Sequence, residues 1–269
     1  MLAVWQAADD IDVFESGWTF DHFYPIFSDP TGPCLEGWVT LTALAQATTR
    51  LRVGVLVTGI HYRHPAVLAN MASTLDIVSG GRLELGIGAG WNEEESGAYG
   101  IALGTVRERF DRFEEACEVL TGLLSQETTS FDGSFYRLTE ARNEPKGPQR
   151  PRPPICIGGN GEKRTLRITA RYADHWNFVG GPPEEFARKR DVLAAHCADV
   201  GRDPKDIMLS AHVRLNPERD YDRVIDQAAA LGAEGLDMAI VYLPPPYDPA
   251  VLEPLAERIR ESGLASKDS

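Results

Sequence analysis

Residues 52–88, RVGVLVTGIHYRHPAVLANMASTLDIVSGGRLELGIG, carry the pattern that decides the fold. Arg52–Thr58 is rich in valine and almost continuously apolar, which predicts a parallel strand buried on both faces. Pro65–Val78 has the apolar spacing of an amphipathic helix and ends at two glycines, and Arg82–Gly88 predicts the next strand. A strand, a helix and a strand in this order indicate parallel strands joined by a right-handed crossover.

The same alternation continues toward both ends of the chain. Strands that alternate with helices predict one parallel sheet covered by helices, either doubly wound or a (β/α)8 barrel. The barrel is favoured because the pattern reaches the C-terminus without a shift that would mark a domain boundary. The predicted strands are Val13–Asp21, Arg52–Thr58, Arg82–Gly88, Ile155–Gly158, His175–Val179, Met208–Leu215 and Leu236–Tyr242, and the predicted helices are Leu2–Ala8, Trp38–Thr49, Pro65–Val78, Val106–Leu124, Glu162–Tyr172, Pro183–Val200, Tyr221–Leu231 and Pro249–Ser262.

Seven main strands are one fewer than a closed (β/α)8 barrel contains. Only Met1 precedes the predicted Leu2–Ala8 helix, and the alternative is that Met1–Trp5 is itself a short strand. We therefore expect one TIM-barrel domain over residues 1–269 that lacks its first strand, through truncation or because the natural start lies upstream. The outer edges of its first and last strands should be unpaired. Thr128–Leu138 predicts an inserted β-hairpin that turns at Asp132-Gly133.

The composition disfavours several classes of function. A net charge of −13, from 27 basic and 40 acidic side chains, would repel nucleic acid. No apolar run reaches the roughly 18 residues of a membrane span, and no signal peptide follows Met1, so we expect a cytoplasmic protein. The four cysteines are scattered without metal spacing, which indicates reduced structural thiols. No GxSxG or HExxH motif is present, and an organic cofactor with an anionic group fits better than a hydrolase.

Two predicted strand ends carry histidine, and functional groups of a barrel collect at the C-terminal ends of its strands. Asp21-His22 can place an imidazole in the barrel mouth as an acid or base, or it can be a structural histidine beside a capping aspartate. Gly59 permits a bulge where a ligand packs closely. His61 and His64 lack a third metal ligand at a convincing spacing, so we expect no metal, and His64-Pro65 more plausibly begins the next helix.

Two further strand ends are rich in glycine. Gly86–Asn92 is not a dinucleotide fingerprint, because a tryptophan and three glutamates follow its glycines. It suits instead a backbone close to a flat ligand, with Asn92 at the ligand's edge, or simply a tight turn. Gly158–Gly161 opens a helix beside Lys163 and Arg164, which indicates a site for a phosphate-bearing ligand, with an ordinary loop as the alternative.

Four long motifs follow one another: TFDHFYP (19–25), VTGIHYRHPAVLANMASTLD (57–76), SGGRLELGIGAGWNEEE (79–95) and PPICIGGNGEKRTLRITARYADHWN (153–177). Together they resemble the bacterial-luciferase-like superfamily, and within it the oxidoreductases that use the 8-hydroxy-5-deazaflavin coenzyme F420. The resemblance implies a (β/α)8 barrel with an insertion before its fifth strand, which matches the predicted hairpin. It also implies a homodimer.

The resemblance further implies the residues of a cofactor site. A non-prolyl cis peptide maps onto Gly59–Ile60, and its bulge would support one face of the deazaflavin ring. His22 maps onto the acid or base beside the reactive carbon, and Gly158–Gly161 would meet the phosphate-bearing tail. The implied cofactor-binding residues are Asp21, His22, Thr58, Gly59, Ile60, Gly88, Ala89, Gly90, Trp91, Asn92, Gly158, Gly159, Asn160, Gly161 and Asn177.

The implied reaction is hydride transfer between the deazaflavin and a small organic substrate, with His22 giving or taking the proton. Two alternatives stay open at this point. One is a monooxygenase of the same superfamily that uses FMN and activates oxygen. The other is a barrel that binds a cofactor without turnover because a strand is missing.

Overall fold

A computed structural model describes residues 1–26 and 28–264, in which helices cover the outer face of a curled parallel sheet. The strands are β1 (Ser16–Thr19), β2 (Arg52–Val55), β3 (Thr58–Gly59), β4 (Leu83–Gly88), β5 (Thr129–Asp132), β6 (Arg137–Ala141), β7 (Ile155–Gly158), β8 (His175–Phe178), β9 (Met208–Arg214) and β10 (Met238–Tyr242). The helices are α1 (Leu2–Asp9), α2 (Gly37–Gln46), α3 (Pro65–Val78), α4 (Glu93–Ala98), α5 (Val106–Ser125), α6 (Thr165–Tyr172), α7 (Pro183–Asp199), α8 (Tyr221–Ala233) and α9 (Leu252–Ser262).

The sheet runs in the order β1-β2-β4-β7-β8-β9-β10, with β3 continuing the line of β2 along β4. Every pair in this sheet is parallel, and β2 with β3 counts as one barrel strand, so the seven predicted strands are confirmed. Among the described residues, β1 and β10 are not paired with each other, as expected for an open barrel. The alternative of a strand at Met1–Trp5 is wrong, because α1 begins at Leu2 and Met1 is its N-cap residue. The predicted domain also takes in Phe27 and residues 265–269, which lie outside the described residues.

Side-chain contacts connect β1 and β10 across the open edge of the barrel, where the described residues show no backbone pairing between these strands. The Ser16 hydroxyl of β1 lies 3.6 Å from the Met238 sulfur of β10. Further toward the C-terminal ends of these strands, the rings of Phe20 and Tyr242 stack with centroids 5.4 Å apart. These contacts hold the first and last strands close to each other across the edge.

The predicted hairpin is confirmed as the antiparallel pair β5-β6, which lies before β7. Its turn begins at Gly133, whose N–H donates to the Tyr136 carbonyl at 2.9 Å. α3 is also confirmed residue for residue. The His64 ring accepts a hydrogen bond from the Ala66 N–H at 3.1 Å, and Pro65 follows as the first helical residue.

Most predicted elements are found with ends shifted by one to three residues, and two differences lie next to the strand ends of the barrel mouth. The helix predicted to begin at Glu162 begins at Thr165, because the Glu162 carboxylate pairs with Lys189 at 2.9 Å and the loop before it is not helical. The six-residue α4 falls within a segment that the glycine pattern assigned to a loop or turn. Its length is under two turns, so it carries no readable apolar period.

The cis peptide bond expected at Gly59–Ile60 lies instead between Leu56 and Val57. Gly59 pairs in register with Gly88, and the Ile60 N–H donates to the Gly88 carbonyl at 3.1 Å. The expectation for Gly59–Ile60 is therefore wrong, because these residues continue the regular parallel pairing. The pairing is broken three residues earlier, between the end of β2 and the start of β3, and the cis bond lies in that break.

Candidate active site

His22 and Glu95 form a close pair at the mouth of the barrel. His22 follows β1, and Glu95 lies in the first turn of α4, which follows β4. The His22 Nδ1 lies 2.6 Å from the Glu95 Oε2. Since a carboxylate only accepts hydrogen bonds, Nδ1 carries the proton and Nε2 is the ring nitrogen left to face a ligand.

Glu95 is completely buried and is held as a carboxylate by three donors. Besides His22, the Tyr62 hydroxyl donates to Oε2 at 2.7 Å and the Phe23 N–H donates to Oε1 at 2.6 Å. Burial alone would raise the pKa of Glu95, but the hydrogen bonds from Tyr62, Phe23 and His22 hold it below its usual value. Burial and the bond to Glu95 raise the pKa of Tyr62, so its hydroxyl stays a donor.

The predicted Asp21 lies next to His22 but serves another contact. Its carboxylate receives both terminal nitrogens of Arg63, at 2.7 and 2.8 Å, and the Gly59 N–H at 3.1 Å. Asp21 therefore joins the end of β1 to β3, and its bidentate pair fixes the backbone from which His22 projects. A direct contact of Asp21 with a cofactor stays a prediction.

Two strand-end glycines and the side chain of Val57 form a second part of the site. A Cβ atom added at Gly88 would lie 2.7 Å from a methyl carbon of Val57, and one added at Gly158 would lie 3.0 Å from the other. Gly88 and Gly158 end two neighbouring strands, β4 and β7, so the Val57 side chain lies against both of them. We refer to Val57, Gly88 and Gly158 as the glycine floor.

Gly90, Trp91 and Asn92, within the predicted segment Ala89–Asn92, have different surroundings in the structure. Gly90 has φ +85°, and a Cβ there would meet the His61 ring at 2.4 Å, so only glycine fits. The Trp91 ring is exposed and stands edge-on to His22, with centroids 5.7 Å apart. Asn92 is buried and its Oδ1 accepts from the Glu95 N–H at 3.1 Å, which places it as the N-cap of α4.

Two predicted residues near the cis peptide are buried. The Thr58 hydroxyl accepts from the Trp38 indole nitrogen at 3.1 Å, and Ile60 belongs to the main apolar core. Their side chains thus fix the strand beside the floor, and contacts with a ligand there stay a prediction.

The loop Gly159–Gly161 follows the floor and borders an open cavity of about 470 Å³. Asn160 ties this loop to the end of β8, because its Oδ1 accepts from the Val179 N–H at 3.0 Å. Lys163, Arg164 and Lys189 also line the cavity, together with Glu162. Arg164 is paired with Asp111 at 2.7 Å and Lys189 with Glu162 at 2.9 Å. The predicted anion site thus has cations around it, and a bound phosphate there stays a prediction.

Asn177, the last predicted residue, is buried in β8 next to Gly158 in strand register. Its Nδ2 donates to the Ser210 hydroxyl at 2.9 Å. Of the predicted set, Asn177 is therefore the polar side chain on the strand adjoining the glycine floor.

Sequence reasoning missed the most connected residue of the site, Glu95. The three consecutive glutamates after Asn92 counted only as evidence against a dinucleotide motif. An asparagine three residues before a glutamate is a recognisable helix start, and it would have predicted α4. Which of the three glutamates turns inward depends on His22, 73 positions away, and no local pattern shows that.

The described residues, 1–26 and 28–264, contain no group of three or more His, Cys, Asp or Glu placed to hold a metal ion. His61 Nε2 lies 3.2 Å from the Ser96 hydroxyl, whereas His64 caps α3. Within the same residues, every helix is too short or too polar to span a bilayer.

The comparison with protein families gives one match that covers most of the chain. The model of the luciferase-like monooxygenase family matches residues 5–262. The F420-dependent hydroxymycolic acid dehydrogenase of Mycobacterium tuberculosis (strain ATCC 25618 / H37Rv) is 33% identical over 215 residues, which cover 76% of this chain and 55% of that protein. The chain thus spans about half the length of this curated relative.

Solved structures with two kinds of chemistry share the fold. An F420-dependent secondary alcohol dehydrogenase in complex with an F420-acetone adduct matches with a TM-score of 0.82 at 20% identity, over 98% of this chain and 94% of that one. The EDTA monooxygenase of Chelativorans sp. BNC1 matches with a TM-score of 0.83 at 13% identity, over 98% and 87% of the two chains. At these identities the likeness establishes the fold, a luciferase-like α/β barrel.

Proposed function

This chain belongs to the luciferase-like monooxygenase family, and we propose that it is an oxidoreductase dependent on the deazaflavin coenzyme F420. The proposed reaction transfers a hydride between this cofactor and a small organic substrate. The relative at 33% identity is an F420-dependent dehydrogenase, which supports the cofactor. The alcohol dehydrogenase that shares the fold supports a substrate with a carbinol or carbonyl carbon.

The observation that carries the proposal is the His22–Glu95 pair at the barrel mouth. A buried carboxylate 2.6 Å from Nδ1 fixes the tautomer of His22, with its proton on Nδ1 and Nε2 left as the acceptor. A hydride transfer to or from an oxygen-bearing carbon needs one proton acceptor or donor beside it, and His22 Nε2 suits this role.

The residues present fit a flat tricyclic cofactor. The glycine floor would lie under the ring, because side chains at Gly88 and Gly158 would occupy the space next to Val57. The Gly159–Gly161 loop and Lys163 would hold the phosphate-bearing tail, in a chain whose net charge of −13 otherwise repels anions. When bound, the deazaflavin supplies a ring carbon that accepts or donates the hydride.

The protein's own part is binding, orientation and proton movement. For an alcohol, Nε2 of His22 takes the hydroxyl proton while Glu95 stabilises the imidazolium that forms. For a ketone, the protonated His22 returns that proton to the oxygen. Tyr62 and Phe23 keep the Glu95 carboxylate in place throughout, since both donate to it directly.

Titration of the purified protein with each cofactor tests the proposal. We expect F420 to bind with saturable quenching of its fluorescence and to bind more tightly than FMN. Tight binding of FMN with no binding of F420 would overturn the proposed cofactor.

The second candidate is an FMN-dependent monooxygenase, favoured by the likeness to the EDTA monooxygenase at a TM-score of 0.83. The floor would accept either ring, because flavin and deazaflavin have the same flat outline. The titration above separates the two candidates.

Substitution of Gly158 by alanine should weaken cofactor binding about tenfold or more. The added Cβ would lie 3.0 Å from Val57, so the side chain must shift into the space of the ring. The measurement is the dissociation constant from the same titration. Gly232→Ala in α8 is the control, because nothing lies within 4 Å of its added Cβ and its affinity should equal that of the wild type. Equal affinity for Gly158→Ala would remove the floor from the site.

We also propose that the protein is a homodimer that pairs through α2 and α3. The outward positions of these helices are uncharged and include Val39, 74% exposed, and Val67, 54% exposed. An uncharged face with exposed valines, on a chain with 25% charged residues, is typical of a surface that is covered in the assembly.

Val39→Glu should convert the dimer into a monomer, because two-fold symmetry places the new charge twice in one interface. Light scattering after size exclusion gives the mass. The control is Val106→Glu at the start of α5, which is 61% exposed on another face. A wild-type monomer, or a Val39→Glu dimer, would contradict this interface.

A further inference from the structure

Three side chains at the ends of the last two barrel strands have no part in the reaction described above. Val213 of β9 and Val241 of β10 pair in register and pack outward, against the apolar core under the helices. Because side chains alternate along a strand, their neighbours His212, Arg214 and Tyr242 point into the barrel. We refer to these three residues as the arginine corner.

Contacts among its own side chains hold the arginine corner together. The Tyr242 hydroxyl lies 3.1 Å from His212 Nδ1. The guanidinium carbon of Arg214 lies over the Tyr242 ring, 5.7 Å from its centroid, which is within the range of a cation–π contact. The Tyr242 ring also stacks on Phe20, two residues before His22. The corner therefore adjoins the strand end that carries His22.

The arginine corner and the glycine floor lie on different strands of the mouth. The floor lies at the ends of β4 and β7 and on Val57 between β2 and β3, whereas the corner lies on β9 and β10. Arg214 is exposed, so a molecule entering the mouth can reach it. A ring lying on the floor would leave the space between the corner and His22 for the substrate.

Arg214 gives the corner a positive charge that its neighbours do not cancel. Burial and the charge of Arg214 lower the pKa of His212 to about 4, so His212 is neutral near pH 7. Burial raises the pKa of Tyr242, so its hydroxyl keeps its proton. Among residues 1–26 and 28–264, Arg214 is the one charged group that acts on the pKa of either side chain. The corner thus attracts anions in a chain whose net charge is −13.

The shape of the guanidinium indicates which anion fits. A guanidinium over an aromatic ring keeps its N–H donors in its own plane, so it can contact the ring and a ligand together. Two of these donors match the two oxygens of a carboxylate. One positive charge balances one carboxylate, whereas a phosphate monoester carries nearly two negative charges. The corner therefore favours a carboxylate.

We infer that Arg214 binds a carboxylate of the substrate, so that the alcohol oxidised beside His22 is a hydroxy acid and the ketone is an oxo acid. The inference rests on the proposed function and deepens it by naming the substrate class. The carbinol carbon gives its hydride to the deazaflavin and its hydroxyl proton goes to His22, while the carboxylate is unchanged. Arg214 is a substrate-binding residue with no part in the proton step.

The test compares three hydroxy acids with their primary amides as substrates of the F420-loaded protein. The acids are 3-hydroxybutyrate, 4-hydroxypentanoate and 5-hydroxyhexanoate, which differ in the distance between the carbinol carbon and the carboxylate. Each amide keeps the shape of its acid without the charge. For at least one acid, the wild type should show a kcat/KM about tenfold or more above that of the amide, the range of one charged hydrogen bond.

Arg214→Met should lower this ratio to about one, mainly by raising KM for the acid. Because the ratio is taken within one protein, a loss of folded protein cancels. Arg214→Lys should keep part of the preference, since an ammonium keeps the charge and loses the planar fork. The change therefore tests the charge and the geometry separately.

Arg219→Met is the matched control. Arg219 follows the same strand, β9, and is paired with Asp248 at 2.8 Å. Its removal changes the net charge by the same amount and should leave the preference for the acid as in the wild type. An equal loss of preference in Arg219→Met would show a general effect of charge and contradict a contact with Arg214.

The oxo acids 4-oxopentanoate and 5-oxohexanoate give a measurement that does not depend on turnover. By calorimetry on the cofactor-free protein, the wild type should bind at least one of them about tenfold more tightly than Arg214→Met does. Equal binding by the two proteins would contradict the inference.

The outcomes are distinct for the two claims. A wild type that reduces F420 with secondary alcohols but prefers no acid over its amide, or an Arg214→Met variant that keeps the preference, would overturn the inference alone. A wild type that reduces F420 with no acid, no amide and no other secondary alcohol would overturn the proposed function together with the inference.

Discussion

Replacement of His22 by alanine is expected to lower kcat by about 10²- to 10⁴-fold, the usual contribution of a positioned acid or base. Cofactor affinity should change by less than about twofold, because the glycine floor and the Gly159–Gly161 loop are untouched. The measurement is steady-state turnover of the F420-loaded protein, with the dissociation constant measured separately. A low kcat with normal affinity assigns His22 to the proton step.

His64→Asn is the control for this variant. His64 caps α3 through its ring nitrogen, and asparagine can keep a side-chain acceptor at that position. The control should turn over as the wild type does. Wild-type kcat in His22→Ala would remove His22 from the mechanism.

Glu95→Gln is expected to have the second large effect, on both kcat and stability. The carboxamide has one acceptor oxygen where the carboxylate has two, so its –NH2 group faces either the Phe23 N–H, in place of Oε1, or both His22 and Tyr62, in place of Oε2. A buried donor without a partner costs about 1–3 kcal/mol in the free energy of unfolding. If the –NH2 group faces His22, the imidazole proton moves from Nδ1 to Nε2. The wrong tautomer then faces the substrate, as in the nearly inactive aspartate-to-asparagine variants of serine proteases.

We therefore expect a fall in kcat of about 10²-fold or more for Glu95→Gln, beyond any loss of folded protein. Glu115→Gln is its matched control. Glu115 accepts from the backbone N–H groups of Ser134, Phe135 and Tyr136 in the hairpin, at 2.7, 2.8 and 3.1 Å. The Glu115→Gln variant should have a lower free energy of unfolding, measured by chemical denaturation, and an unchanged kcat. Equal kcat losses in the two variants would show that Glu95 is a folding residue only.

Local signals predicted the elements that carry them. α3 has a histidine-proline start and a glycine pair at its end, and the structure gives its bounds as Pro65–Val78. β7 was predicted at its observed bounds because a proline-rich connector and a glycine loop enclose a short apolar run. The resemblance implied a non-prolyl cis peptide but at the wrong position, because neither Leu56 nor Val57 is proline and cis bonds without proline leave little trace in sequence.

The sequence predicted the parts of the site that lie directly after a predicted strand. The end of β1 pointed to Asp21 and His22, and the glycines after β4 and β7 pointed to a flat ligand. The different contacts of these two residues were not predictable, because Asp21 pairs with Arg63, 42 positions away, and His22 pairs with Glu95. The pair of Glu84 and His175 joins residues 91 positions apart. Such contacts follow from the closure of the sheet and have no local pattern.

The most direct test of the central claim is an anaerobic reaction of the F420-loaded protein with a panel of secondary alcohols, followed by the absorbance of the oxidised deazaflavin. We predict that at least one alcohol reduces the cofactor without oxygen, and that His22→Ala slows this step by about 10²-fold or more. Product formation that requires oxygen and bound FMN, with no reduction of F420 by any alcohol, would contradict the account.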